Sequence, residues 1–130
     1  MKFSVQVTSS PYQAQAGETA YQFIKAAVSM RHEVIRVFFY NDGIYHAFRY
    51  VTPPEDECQI TARWSELSRI YNIDLVVCIS AAQRRGLLSQ GEAKRQQKLD
   101  DDLAEGFRIS GLGQLVEATL NADRFIIFGN

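Results

Sequence analysis

Apolar positions along the chain switch repeatedly between strand and helical period. Phe3, Val5 and Val7 alternate within residues 2–8, the spacing of a half-buried strand, and Ser9-Ser10-Pro11 breaks the run. From about Gln15 to Met30, Ala20, Phe23, Ile24, Ala27 and Val28 recur at helical spacing, which predicts a helix with one face on a sheet. Glu33 to Tyr40 is β-branched and aromatic, and Asn41-Asp42-Gly43 ends it as a turn. Residues 41–58, interrupted by Gly43, Pro53 and Pro54, read as a long irregular connection.

The second half repeats the alternation. Ile60, Trp64, Leu67, Ser68 and Tyr71 form the stripe of a second helix over Ile60 to Tyr71. Ile73 to Ile79 is nearly continuous in apolar character, as a central parallel strand covered on both faces should be. A short helical turn ending at Gly86 follows. Residues 89–106 are polar, with helical potential near Glu92 to Gln97, and are expected to be mobile. Phe107 to Ser110 predicts a fourth strand, and Gly111-Leu112-Gly113 opens a helix with Leu115, Val116, Thr119 and Leu120 at helical spacing. Asp123 to Phe128 closes as strand five. Strands alternating with helices predict a three-layer α/β/α domain over residues 1–130, with a parallel Rossmann- or flavodoxin-like sheet.

Charge removes several function classes. Lys plus Arg total 14 against 15 Asp plus Glu, a net charge of -1 that draws the chain to neither nucleic acid nor an anionic membrane. No apolar run approaches the roughly 20 residues of a membrane span, and the N-terminus lacks a signal peptide's apolar stretch. Cys58 and Cys78 are too few for a disulfide scaffold, so reduced thiols and a cytoplasmic location are expected.

In an open parallel sheet, reactive groups gather at the carboxyl ends of the strands, and Cys78 is predicted at such an end. One reading makes it a small buried hydrophobe. The other makes it a nucleophile, which must ionise and therefore wants positive charge nearby. Arg84 and Arg85 on the following turn could supply that charge, or could be a solvated basic pair at a helix end. Cys58 stands among Glu55, Asp56 and Glu57, carboxylates that oppose a thiolate, and is the weaker candidate. His32 and His46 have no metal-ligand spacing to either cysteine, so no metal is assigned and surface or structural roles are expected. The hydroxyl-rich loop Thr8 to Tyr12 precedes a helix, but it is glycine-poor and matches no phosphate-binding pattern. No cofactor is expected, and a flavin-binding redox protein is the disfavoured alternative.

Three blocks in chain order then carry a resemblance: Val37 to Tyr45, Val77 to Gly86 with Cys78 ahead of Ala81-Ala82-Gln83-Arg84-Arg85-Gly86, and Phe107 to Ala118 around Ser110-Gly111-Leu112-Gly113. Along nearly its whole length the chain resembles the DsrE/TusD family, the active-cysteine subunits of the DsrEFH and TusBCD sulfur-relay complexes. The resemblance implies a sheet of strand order 4-3-2-1-5. It also implies a sulfurtransferase that holds sulfane sulfur as a persulfide on Cys78, taken from a TusA-like donor and passed to a TusE- or DsrC-like acceptor. It further implies a heterohexamer with two homologous subunits, of TusB/TusC or DsrF/DsrH type. Both tRNA 2-thiouridine synthesis and dissimilatory sulfur oxidation fit, with the tRNA route preferred as the broader bacterial use. The competing reading is a noncatalytic scaffold subunit. Residues 89–106 match no family pattern, so partner contacts there are not implied.

Overall fold

The five β-branched and aromatic runs form strands β1 (Lys2–Val7), β2 (Glu33–Phe39), β3 (Asp74–Cys78), β4 (Phe107–Ser110) and β5 (Arg124–Phe128) in the computed structural model, which describes residues 1–129. All pairings are parallel and the order is β4-β3-β2-β1-β5, the order expected. Between the strands run helices α1 (Ala16–Ser29), α2 (Ile60–Tyr71), α3 (Ile79–Arg84), α4 (Gln90–Arg95) and α5 (Gly113–Asn121).

The helices divide unequally between the two faces. On one face α1 and α2 cover the sheet: Phe23 of α1 packs edge-on against Phe3 at 5.3 Å, and Trp64 of α2 against Phe39 at 5.3 Å. Ala20, Ile24, Ala27, Trp64 and Leu67 are buried there, as the helical spacing predicts. α5 lies on the other face. Arg36 of β2 donates to the Gln114 carbonyl of α5 at 2.8 Å and to Asp74 of β3 at 2.7 Å, while Arg108 of β4 also binds Asp74. Burial alone would raise the Asp74 carboxyl, but the Arg108 and Arg36 guanidiniums outweigh it and hold the group below its usual range.

Three expectations change at the element level. The connection 41–58 begins with a 3₁₀ helix, Asn41–Ala47, because Ile44, His46 and Ala47 turn inward under α2. β3 ends at Cys78, one residue earlier than the apolar run suggests, since Ile79 already belongs to α3. The stretch 89–106 is anchored rather than loose. Ser89 caps α4 by accepting from the Glu92 amide at 3.3 Å, and Ala93 is buried. Beyond it, Arg49 grips Asp100 at 2.8 Å, and the Ala104 amide donates to Ala47 at 2.8 Å.

Candidate functional site

Cys78 is the last residue of β3 and the residue that caps α3, so the chain changes from extended to helical at the thiol. Its strand neighbours set its surroundings. Cys78 pairs with Ser110 of β4, and Tyr40 follows the last β2–β3 pair, Phe39 with Val77, so these two residues flank it. α3 ends at Arg84 and is closed by Gly86 two residues on, whose φ of 83° is the left-handed conformation glycine adopts without strain. The Gly86 amide donates to Gln83 and the Leu87 amide to Ala82, closing the helix with paired carbonyls and tucking Leu87 into the core.

The connections leaving the strands part company beside this residue. After β3 the chain passes to the α2 side, where Gly106 comes against Ser65 and Ser68 of α2, and after β4 it passes to the α5 side. The topological switch therefore falls between Cys78 and Ser110, the place where open parallel sheets hold reactive groups and ligands. A crevice of about 110 Å³ opens there among Ile79, Gln83, Leu87 and Ile109. It shares Gln83, Leu88 and Glu92 with a polar cleft of about 620 Å³ that also bears Arg95, Lys98 and Asp100.

Two features bear on the readings left open for this site. The thiol is not open: Cys78 is only 1% exposed, sealed in the hydrophobic cluster with Val77, Ala81 and Ala82. Nor do the basic residues sit on it. Arg85 is held by Asp42, to which its Nη2 donates at 3.0 Å, and by the Ala81 carbonyl, while Arg84 is exposed on the last turn of α3. Asp42, in the turn after β2, was a site neighbour that sequence reading missed, and only the Asn41-Asp42-Gly43 turn signal marked its place.

The second cysteine differs from its sequence reading. Cys58 is exposed, and Arg63 Nη1 donates to its sulfur at 2.9 Å, so a guanidinium joins the carboxylates around it. Arg63 also binds Glu18 at 2.7 Å and lies over the Tyr21 ring at 3.9 Å. Of the two roles left open for it, surface or structural, His46 takes the structural one. The Trp64 indole N–H donates to its Nδ1 at 3.1 Å, and Nε2 donates to the Ser9 carbonyl at 3.2 Å. Burial pushes this imidazole down to about 4, against an opposing pull from the Ser9 carbonyl. Among the described residues no group of His, Cys, Asp and Glu is arranged to hold a metal ion, and no helix is long and apolar enough to cross a membrane.

The fold and the rim cysteine define a class, a parallel α/β domain with a single thiol closing an inner strand at the switch point. Comparison with known proteins narrows it. The DsrE/DsrF-like family model matches residues 1–128, so this chain belongs to the DsrE/DsrF-like family. A protein of Allochromatium vinosum named putative sulfurtransferase DsrE is 52% identical over 130 residues, covering all of both chains. A Vibrio vulnificus protein named sulfurtransferase TusD homolog is 40% identical over 128 residues, 98% of each. Among solved structures, the ychN protein of E. coli superposes with a TM-score of 0.76 at 22% identity, covering 98% of this chain and 100% of its own. A Methanobacterium thermoautotrophicum protein of unknown function follows at 0.70 and 15% identity, covering 97% of each chain. At those identities the structures support the fold alone.

Proposed function

We propose that this protein is a sulfurtransferase that carries sulfane sulfur on Cys78. The supporting observation is the position of that thiol, at the carboxyl end of β3 and at the switch of the connections, in a chain 52% identical to a relative named sulfurtransferase. In the loading step the Cys78 thiolate attacks the outer sulfur of a donor protein's persulfide. The donor's S–S bond breaks, its thiolate leaves, and Cys78 holds the outer sulfur as a persulfide. In the unloading step an acceptor thiolate attacks that outer sulfur and Cys78 departs as thiolate. Both steps conserve electrons, so no cofactor is required. An adjacent second thiol would divert the sulfur by forming a disulfide, and Cys58 stands twenty positions away on a different loop.

The donor is a TusA-like carrier and the acceptor a TusE- or DsrC-like protein, on the family resemblance. Arg84 and Arg85 supply positive charge near the rim. Arg85 must first exchange its bond to Asp42, so neutralising both arginines should slow loading. A homologous subunit of TusB/TusC or DsrF/DsrH type has a surface to meet: Leu112, Val116 and Leu120 stand 51%, 57% and 78% exposed at four-residue spacing along α5. The identity to the DsrE-named relative exceeds that to the TusD homologs, which favours sulfur oxidation over tRNA thiolation as the destination. A cytoplasmic setting follows from the same relay.

Intact-mass measurement after incubation with a persulfide donor tests the proposal. One added sulfur atom in wild type and in Cys58→Ser, absent from Cys78→Ser, is expected. Sulfur that is lost with Cys58→Ser instead would move the chemistry to the exposed thiol, and no adduct in any form would favour a scaffold subunit.

A further inference from the structure

The thiol that this relay requires is closed off, and its cover follows by elimination. Side chains alternate along β3, so Cys78 lies on the same side as Val76 and Asp74. Asp74 binds Arg36, and Arg36 binds the Gln114 carbonyl of α5, so this side is the α5 face. α5 is laid along that face, in contact with β2, β1 and β5. The chain reaches it through Ser110-Gly111-Leu112-Gly113. Ser110 pairs with Cys78 at the rim, yet four residues later the Gln114 carbonyl lies 2.8 Å from Arg36 Nη1, beside the first residue of β3. The joint therefore turns back over the end of the sheet above Cys78, Val76 and Phe38, which are 1%, 0% and 0% exposed.

We propose that this joint, residues 110–113, is the gate of the thiol, lifting away to admit a sulfur donor and closing over the loaded cysteine. The proposal rests on the reading of Cys78 as the carrier. The joint buries little of its own: Leu112 is 51% exposed, and a Cβ added at Gly111 or Gly113 would meet nothing within 4 Å. Its carbonyls are tied into α5, Gly111 accepting from Gln114 at 3.1 Å and Leu112 from Leu115 at 3.0 Å, so the joint moves with the first turn of that helix. α5 itself fully buries only Ala118. The strap that follows α4 is anchored to residues 47–50, and Ala81 and Ala82 of α3 are fixed in the core, so the exposed joint is the part of the cover free to move.

Gating is read from the rate at which iodoacetamide alkylates Cys78, followed by intact mass in a Cys58→Ser background. Gly111→Ala and Gly113→Ala fit the closed state and narrow the open one, so each should slow labelling about two- to fivefold. Unchanged or faster labelling overturns the gate. Arg49→Ala loosens the strap and should leave the rate within about twofold of the parent. Acceleration there would hand the cover to the strap and overturn the proposal. Rates that simply follow each variant's urea midpoint would mean exposure by global unfolding, and would overturn it as well. The carrier reading fails separately: a protein whose alkylation responds as described, but which never gains sulfur from a persulfide donor, keeps its gate and loses its relay.

Discussion

His46 shows how one buried side chain ties stability to pH. It is 0% exposed, satisfied at both ring nitrogens by Trp64 and Ser9, and neutral because burial lowers its affinity for protons. The unfolded chain binds a proton near 6.5 and the folded chain only near 4, so between these values the unfolded state holds more protons. Stability from this group is complete above about pH 6.5 and falls as pH drops toward 4, by roughly 3 kcal/mol in total. Urea midpoints measured from pH 7.5 down to pH 4.5 should decline accordingly. His46→Gln should be less stable at pH 7.5 but flatter across that window, and a parallel decline in both proteins would contradict this account. Sequence reading left His46 a surface or structural role and had no way to see that it turns inward, because its partners Trp64 and Ser9 are brought to it by the fold. The same holds for Cys78. Its position at a strand end was legible in the apolar run before it, whereas its closure depends on a joint from residues more than thirty positions away.

Two glycines at the element scale respond oppositely to an added methyl. Gly17 opens α1, where alanine ordinarily helps a helix by about 0.5–1 kcal/mol. Here the new Cβ would lie 2.6 Å from His46 Nε2, so Gly17→Ala should destabilise by about 1–3 kcal/mol through overpacking. Gly86 meets nothing within 4 Å, and its φ of 83° makes the cost of Gly86→Ala one of backbone alone, about 1–2 kcal/mol. Thermal unfolding of both variants checks the two mechanisms, since only the Gly17 defect should be relieved by also shortening His46 to Ala. The strands and the two long helices were legible because their apolar spacing is local. α4 showed only as helical potential near Glu92 to Gln97 and the 3₁₀ helix not at all, since six- and seven-residue elements carry too few apolar positions to declare a period. α5 was found, but its apolar spacing does not mark the packed face: Val116, Thr119 and Leu120 look outward, while Ala118 is buried and Leu115 packs partly against the core.

At the scale of the whole molecule, that outward stripe matters more than the helix that bears it. Leu112, Val116 and Leu120 on α5, with Ile127 at 59% exposure on the edge strand β5, leave one face of the domain apolar and uncovered. If this face meets a homologous subunit, Val116→Glu and Leu120→Glu together should leave the urea midpoint close to the parent, because neither side chain is buried, while abolishing co-purification with the partner subunits. Retained assembly would place the interface elsewhere. The layer order and the parallel sheet were readable from the alternation of periods, and the strand order from family resemblance; the uncovered face was not, because a stripe at helical spacing looks the same whether it packs on its own sheet or on another chain.

The account depends most on where the sulfur sits. Wild-type protein loaded by a persulfide-bearing carrier protein, digested without reductant and mapped by tandem mass spectrometry, should carry the extra sulfur on the peptide containing Cys78 and leave the Cys58 peptide unmodified. Sulfur found on Cys58 while the Cys78 peptide stays unmodified would contradict it.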